Sequence, residues 1–85
     1  MMIKVLYFAR LKESLNYSTE EMLLPSNIKT ILQLKTHLSA RGDAWTAIFS
    51  GKQVVRAAIN HALVDDTEVI KVGDEVAFFP PVTGG

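Results

Sequence analysis

The sequence predicts a small α+β domain in which a mixed sheet carries one main helix on one face. Three observations predict it. Two short stretches, Ile3–Ala9 and Glu75–Phe79, are apolar on both alternating faces, as central strands are. Between them one stretch changes to a helical period. Finally, 85 residues leave room for a single core, so those elements must share it.

In the first stretch Ile3, Val5 and Tyr7 alternate with Leu6 and Phe8. Arg10 to Asn16 is polar enough for a turn, and Tyr17 to Leu24 carries a second strand signal, giving a hairpin with a moderately long loop. Pro25-Ser26-Asn27 punctuates the chain. Ile31, Leu34 and Leu38 then recur at i, i+3 and i+7, one face of a helix. Thr30 is placed to cap it, with Gln33 three residues on as a capping box requires, and Gly42 is expected to end it in the left-handed conformation. Asp43 to Phe49 forms a further short helical turn, with Trp45 and Phe49 four residues apart. Val54 to Asn60 and Ala62 to Val64 are extended and meet at a tight Asn60-His61 corner. Asp65-Asp66 and Val72-Gly73-Asp74 are turn chemistry that delivers the last strand, Glu75–Phe79. Pro80-Pro81 stops it, because proline has no N–H for a ladder. The first and last strands, the most apolar, are expected side by side, central and parallel.

One helix covers one face of such a sheet. Some of Leu6, Phe8, Ala77 and Phe79 are therefore expected to stay exposed as a partner surface, unless residues 43–53 fold over them.

Composition removes several chemistries. The chain has no cysteine, which excludes disulfides, thiolate metal sites and a cysteine nucleophile. Nine basic residues balance nine acidic ones, so the Lys/Arg excess that drives binding to a phosphate backbone is missing and nucleic acid is not an expected partner. No apolar run approaches the ~18 residues of a membrane span, and Arg10 interrupts the N-terminal run before it reaches the length of a secretory signal. The expected location is the cytoplasm, with no membrane partner. His37 and His61 lack a carboxylate cluster, the serines lack a nucleophile-elbow context, and the glycines fit no phosphate-loop spacing. An independent active site is not expected.

The last residues are the exception: Phe78-Phe79-Pro80-Pro81-Val82-Thr83-Gly84-Gly85. With glycine near 7% of residues, a terminal Gly-Gly arises by chance in about 0.5% of chains. Two residues without Cβ are slim enough to thread a narrow channel, and the tip carries a carboxylate that an enzyme can activate. From Pro80 a fully extended tail reaches about 20 Å. The two prolines stiffen its root, and no charged residue follows Glu75.

Three segments together resemble the small, sulfur-carrying subunits of molybdopterin synthases, which are ubiquitin-like β-grasp proteins. They are Met2-Ile3-Lys4-Val5-Leu6-Tyr7-Phe8-Ala9, then Ala57-Ala58-Ile59-Asn60 with Leu63-Val64, and above all Gly73 to Gly85. The resemblance covers essentially the whole chain, apart from the additional Met1 and an unaligned stretch at 11–27. It implies a ubiquitin-like β-grasp domain over residues 1–79 and a flexible tail over 80–85. It also implies a mechanism. An ATP-dependent adenylyltransferase of the ubiquitin-activating type converts the Gly85 carboxylate to an acyl-adenylate, and a sulfur-donor enzyme replaces AMP to leave a thiocarboxylate. The tail then enters the large synthase subunit and gives its sulfur to cyclic pyranopterin monophosphate, forming the dithiolene of molybdopterin. The family assembles as two small and two large subunits.

In this picture the chain is not catalytic alone, binds no cofactor permanently, and uses ATP only through its activating enzyme. Gly85 carries the sulfur and Gly84 gives clearance. Pro80, Pro81, Val82 and Thr83 line the path, and Phe8 and Phe79 dock the partner. A sulfur carrier for thiamine thiazole synthesis shares the fold and the Gly-Gly end. A ubiquitin-like modifier or a plain interaction module are the readings from other classes.

Overall fold

The structure is a computed structural model that describes residues 1–81. Eight elements follow in order: β1 (Met2–Tyr7), α1 (Ala9–Leu15), β2 (Thr19–Leu23), α2 (Ile31–Ser39), α3 (Asp43–Phe49), β3 (Arg56–Ile59), β4 (Ala62–Val64) and β5 (Glu75–Phe79). The strands form one mixed sheet in the order β2-β1-β5-β3-β4. β1 and β5 run parallel, with Val5 opposite Val76 and Tyr7 opposite Phe78. The two doubly apolar segments thus lie next to each other inside the sheet.

The helices share one face. Ile31, Leu34 and Leu38 of α2 are completely buried against Val5, Val76 and Phe78 in one core. Its start matches the capping box: the Gln33 N–H donates to Thr30 Oγ1 at 3.2 Å, and the Thr30 N–H donates to Gln33 Oε1 at 3.1 Å. α3 packs on the same face. Phe49 meets Phe78 edge-on at 5.2 Å, and Trp45 meets Tyr7 in a T-shape at 5.6 Å. Residues 43–49 therefore thicken the core and leave the other face of the sheet open.

Two expectations are corrected. Arg10 to Asn16 is a helix rather than a turn. Leu11 and Leu15, four residues apart, are both buried and anchor it, and Asn16 ends it at φ 60 with its N–H on the Lys12 carbonyl. Two leucines in seven residues are too few to display a period in sequence. Gly42 does not terminate α2. The helix ends at Ser39 with Ala40 in a right-handed cap, and Gly42 is the extended N-cap of α3. Side chains satisfy the α2 end instead: the Thr46 hydroxyl donates to the Ser39 carbonyl and the Ser39 hydroxyl to the Thr36 carbonyl, both at 2.6 Å. No left-handed glycine is then needed.

A polar clamp closes one side of the core. The buried Tyr7 hydroxyl donates to Glu20 Oε2 at 2.7 Å, and Arg41 grips both oxygens of Glu20 at 2.7 and 3.1 Å while lying 4.7 Å over the Trp45 ring. Burial works to raise the Glu20 carboxyl, but the hydrogen bonds from Arg41 and Tyr7 and the Arg41 charge outweigh it, so its pKa falls below the usual glutamate value. Burial first, and then the Glu20 contact, push the Tyr7 phenol far up. A carboxyl with a depressed folded-state pKa stabilises the fold above its unfolded pKa near ~4.3, and that contribution is lost as pH falls through the lower folded value. Glu20→Gln should cost about 1–2 kcal/mol at neutral pH, and in thermal melts the gap to the parent protein should narrow toward pH 3.

Candidate functional site: the tail root and the open sheet face

β5 delivers the C-terminal segment, and its neighbours determine how. Phe78 turns into the core and is fully buried, so Phe79 points to the open face, where it is half-buried. Pro80 and Pro81 follow, also half-buried, at the point where the ladder with β1 and β3 ends. Beside them the Phe8 N–H donates to the Phe78 carbonyl at 3.1 Å, and the Phe8 ring stands 47% exposed. Phe8 and Phe79, the two docking residues expected from sequence, thus both lie near the tail root, Phe8 through its backbone bond to Phe78. Val82, Thr83, Gly84 and Gly85 lie outside the described residues.

The same face extends across the sheet. Leu6 and Ala77 are paired neighbours, Ala58 is paired with Ala77, and Leu63 is paired with Ala58. Leu6, Ala77 and Ala58 are half-buried and Leu63 is 66% exposed, so an apolar strip runs from β1 to β4. Arg56, opposite Phe79, gives that strip a cationic border. Ala58 and Leu63 are not among the partner-surface residues expected from sequence. Their signal was present, since the corner at Asn60-His61 sets the β3–β4 register and with it the faces of both residues.

That corner is also what holds the start of β5. Asn60 and His61 both adopt positive φ, 49° and 73°, as a two-residue hairpin turn requires. Asn60 Nδ2 donates to Asp74 Oδ1 at 3.0 Å, the Glu75 N–H donates to Asn60 Oδ1 at 3.0 Å, and the Lys71 N–H donates to the second Asp74 oxygen at 2.7 Å. Asp74 is the buried acidic side chain among the described residues, and these bonds satisfy it. The network fixes where the last strand begins, hence where its end emerges. Asn60→Ala should lower the melting temperature by about 5–10 °C by leaving Asp74 and the Glu75 N–H short of a partner, as calorimetry would show.

The histidines play no comparable part. His37 is exposed on α2 and His61 is exposed in the turn, and among the described residues no three His, Asp or Glu side chains gather as a metal site. Among those residues, no helix is long and apolar enough to cross a membrane.

Comparison with known proteins agrees with this geometry. A family model described as the ThiS family matches residues 5–85, from within β1 through all of β5 to the Gly-Gly end. The chain belongs to the ThiS family. It is 42% identical over 85 residues to the molybdopterin synthase sulfur carrier subunit of Escherichia coli strain K12, covering 99% of this chain and 100% of that one. A solved structure from Pyrococcus furiosus, described as putative molybdopterin converting factor subunit 1, superposes with a TM-score of 0.77 at 28% identity over 96% of this chain and 99% of that one. The Helicobacter pylori complex of molybdopterin-converting factor subunits 1 and 2 matches with a TM-score of 0.69 at 23% identity, with full coverage of both chains, and shares the fold. The β-grasp expectation is met, with the short helical turn read at Asp43–Phe49 present as α3 and with α1 added.

Proposed function

We propose that this ThiS-family chain is the sulfur carrier of a molybdopterin synthase. The observation that carries this reading is the 42% identity over the full length of a relative bearing that name. The chemistry assigns no catalytic side chain to the folded domain. An adenylyltransferase spends ATP to form an acyl-adenylate at the Gly85 carboxylate and releases pyrophosphate. A sulfur-donor enzyme then displaces AMP, and the thiocarboxylate attacks the pterin precursor inside the large subunit. Sulfur is softer and less tightly hydrated than oxygen, so the thiocarboxylate is the better nucleophile. Zero cysteines are no obstacle, because the sulfur resides on the terminus.

The large synthase subunit is the proposed partner, as two small and two large chains, and the fold shared with the subunit 1–subunit 2 complex supports a partner of that kind. The domain over residues 1–79 docks through the open face, and the tail from Pro80 to Gly85 reaches the partner's site. Cytoplasmic location fits the same reading. If Phe8 and Phe79 are central contacts, Phe8→Ala or Phe79→Ala should weaken binding to the large subunit about 30-fold, the effect of losing ~2 kcal/mol at an aromatic anchor. Titration calorimetry measures this, and a melting temperature close to the parent's would show that the fold is intact.

The deciding experiment is intact mass after incubation with ATP, a sulfur source and the activating enzyme. Replacement of one oxygen by sulfur at Gly85, followed by its loss to cyclic pyranopterin monophosphate when the large subunit is added, is the expected result. Sulfur gained but released only to a thiazole-forming system would transfer the assignment to thiamine synthesis. No sulfur gained by a folded protein would leave an interaction module.

A further inference from the structure

The open face of the sheet has two unlike borders. Its middle is the apolar row Leu6–Ala77–Ala58–Leu63, aligned by the registers of β1, β5, β3 and β4. On one side of that row the cross-strand neighbours Glu21, Lys4 and Glu75 sum to one negative charge. On the other side Phe79 is paired with Arg56, which leaves one positive charge. Glu75 and Phe79 are four residues apart on β5, about 13 Å at ~3.3 Å per residue, with Ala77 midway. These charges do not neutralise one another within the chain. The ion pairs among the described residues are Lys35–Asp66 and Arg41–Glu20, and neither lies on this face.

A face with that charge pattern complements itself. A two-fold axis running across the strands, over Ala77 and Ala58, sets the apolar row of one copy on the same row of another. It also reverses the strand direction, so each border meets its opposite. Arg56 of each copy then falls against the border that carries Glu75 of the other. Lys4 falls against the border that carries the exposed Phe8 ring, whose face attracts a cation. Ala77 and Ala58 at the axis are short, which lets the two sheets approach to the ~10 Å of face-to-face packing.

We propose that the free protein pairs with a second copy of itself through this open face, with Arg56 of each copy meeting Glu75 of the other. The contact is one apolar row edged by exposed ion pairs, so the dimer is weak, salt-sensitive and in exchange with the monomer. It covers the surface assigned above to the large subunit, which must compete it away; that consequence rests on the docking reading, and the dimer itself does not.

Sedimentation equilibrium on the full chain tests the dimer. The 9.4 kDa chain should move toward twice that mass as its concentration rises, within a range up to ~1 mM that suits a weak interface. Amide resonances of Ala58, Leu63 and Ala77 should shift along with it. Arg56→Glu and Glu75→Arg, each alone, should weaken association about 10-fold by bringing like charges together. Mixed in equal amounts the two variants should associate again, because every contact in the mixed dimer joins opposite charges. A parent chain that stays monomeric at ~1 mM would overturn the proposal, as would concentration-dependent shifts confined to the helices. Folded variants that fail to pair when mixed would also overturn it, and the parent measurements decide even if a variant does not fold. Addition of the large subunit keeps the two readings apart. If it binds and leaves the dimer intact, the docking reading fails alone; if it binds through this face of a chain that is always monomeric, the dimer fails alone.

Discussion

A chain ending at Thr83 should gain no sulfur when incubated with ATP, a sulfur source and the activating enzyme, while its melting temperature and circular dichroism match those of the full chain. The reason for the split lies in where the domain's cohesion resides. Among the described residues the core runs from Ile3 to Phe78 and the ladder of β5 ends at Phe79, and the truncation leaves all of them in place. Activation, in contrast, needs a carboxylate presented at one point by a segment slim enough to pass. Thr83 as the new terminus carries a branched side chain and stops about 7 Å short at ~3.3 Å per residue. Gly84→Ala is the milder test. One methyl group that displaces the reacting carboxylate by about 1 Å should slow loading by about 10²-fold. Rates of adenylate formation measure this, and parental rates for Gly84→Ala would refute the narrow-channel argument. Normal loading of the shortened chain would remove Gly85 from the mechanism.

The second large effect is on stability, and it comes from the residue next to the proposed docking residue Phe79. Phe78→Ala should cost about 3–5 kcal/mol, the usual penalty for emptying a large aromatic site in a core that cannot close over it. Phe78 is completely buried, stacks with Tyr7 at 6.3 Å and meets Phe49 edge-on, so its loss leaves a cavity bordered by β1 and α3. An 85-residue domain has about 4–13 kcal/mol of total stability at ~0.05–0.15 kcal/mol per residue, so the variant should melt more than about 15 °C lower or fail to accumulate. Phe79→Ala, one residue later, should keep most of that stability and lose partner affinity instead. Denaturant titration of both variants checks the contrast. Equal destabilisation by the two would mean that the open face is part of the core and unsuited to docking.

Strand alternation makes the Phe78–Phe79 pair legible only in part. The sequence shows two aromatic residues on opposite faces of a strand, but either face fits the pattern equally well. The choice falls to the register with β1, which places Phe78 beside Tyr7, and to α3, whose Trp45 and Phe49 cover that side. The same limit applies to α1. Its two leucines become a buried face only because the β1–β5 pair and α3 provide something to bury them against. The clamp of Tyr7, Glu20 and Arg41 joins residues 13 to 34 positions apart, and no local pattern announces it.

The features that the sequence determined by itself depend on neighbouring residues or on composition. The α2 capping box, the strand–turn–strand at Asn60-His61, the absence of thiol chemistry and the Gly-Gly end are of this kind, because their physics operates within a few residues or needs none of the fold. Tertiary structure decided what depends on surfaces meeting: the helix at Ala9–Leu15, the end of α2 at Ser39 in place of a left-handed Gly42, and the face of the sheet to which Phe79 turns. Burial and long-range hydrogen bonds acquire their energy only when distant segments exclude water together, and a linear pattern does not contain that information.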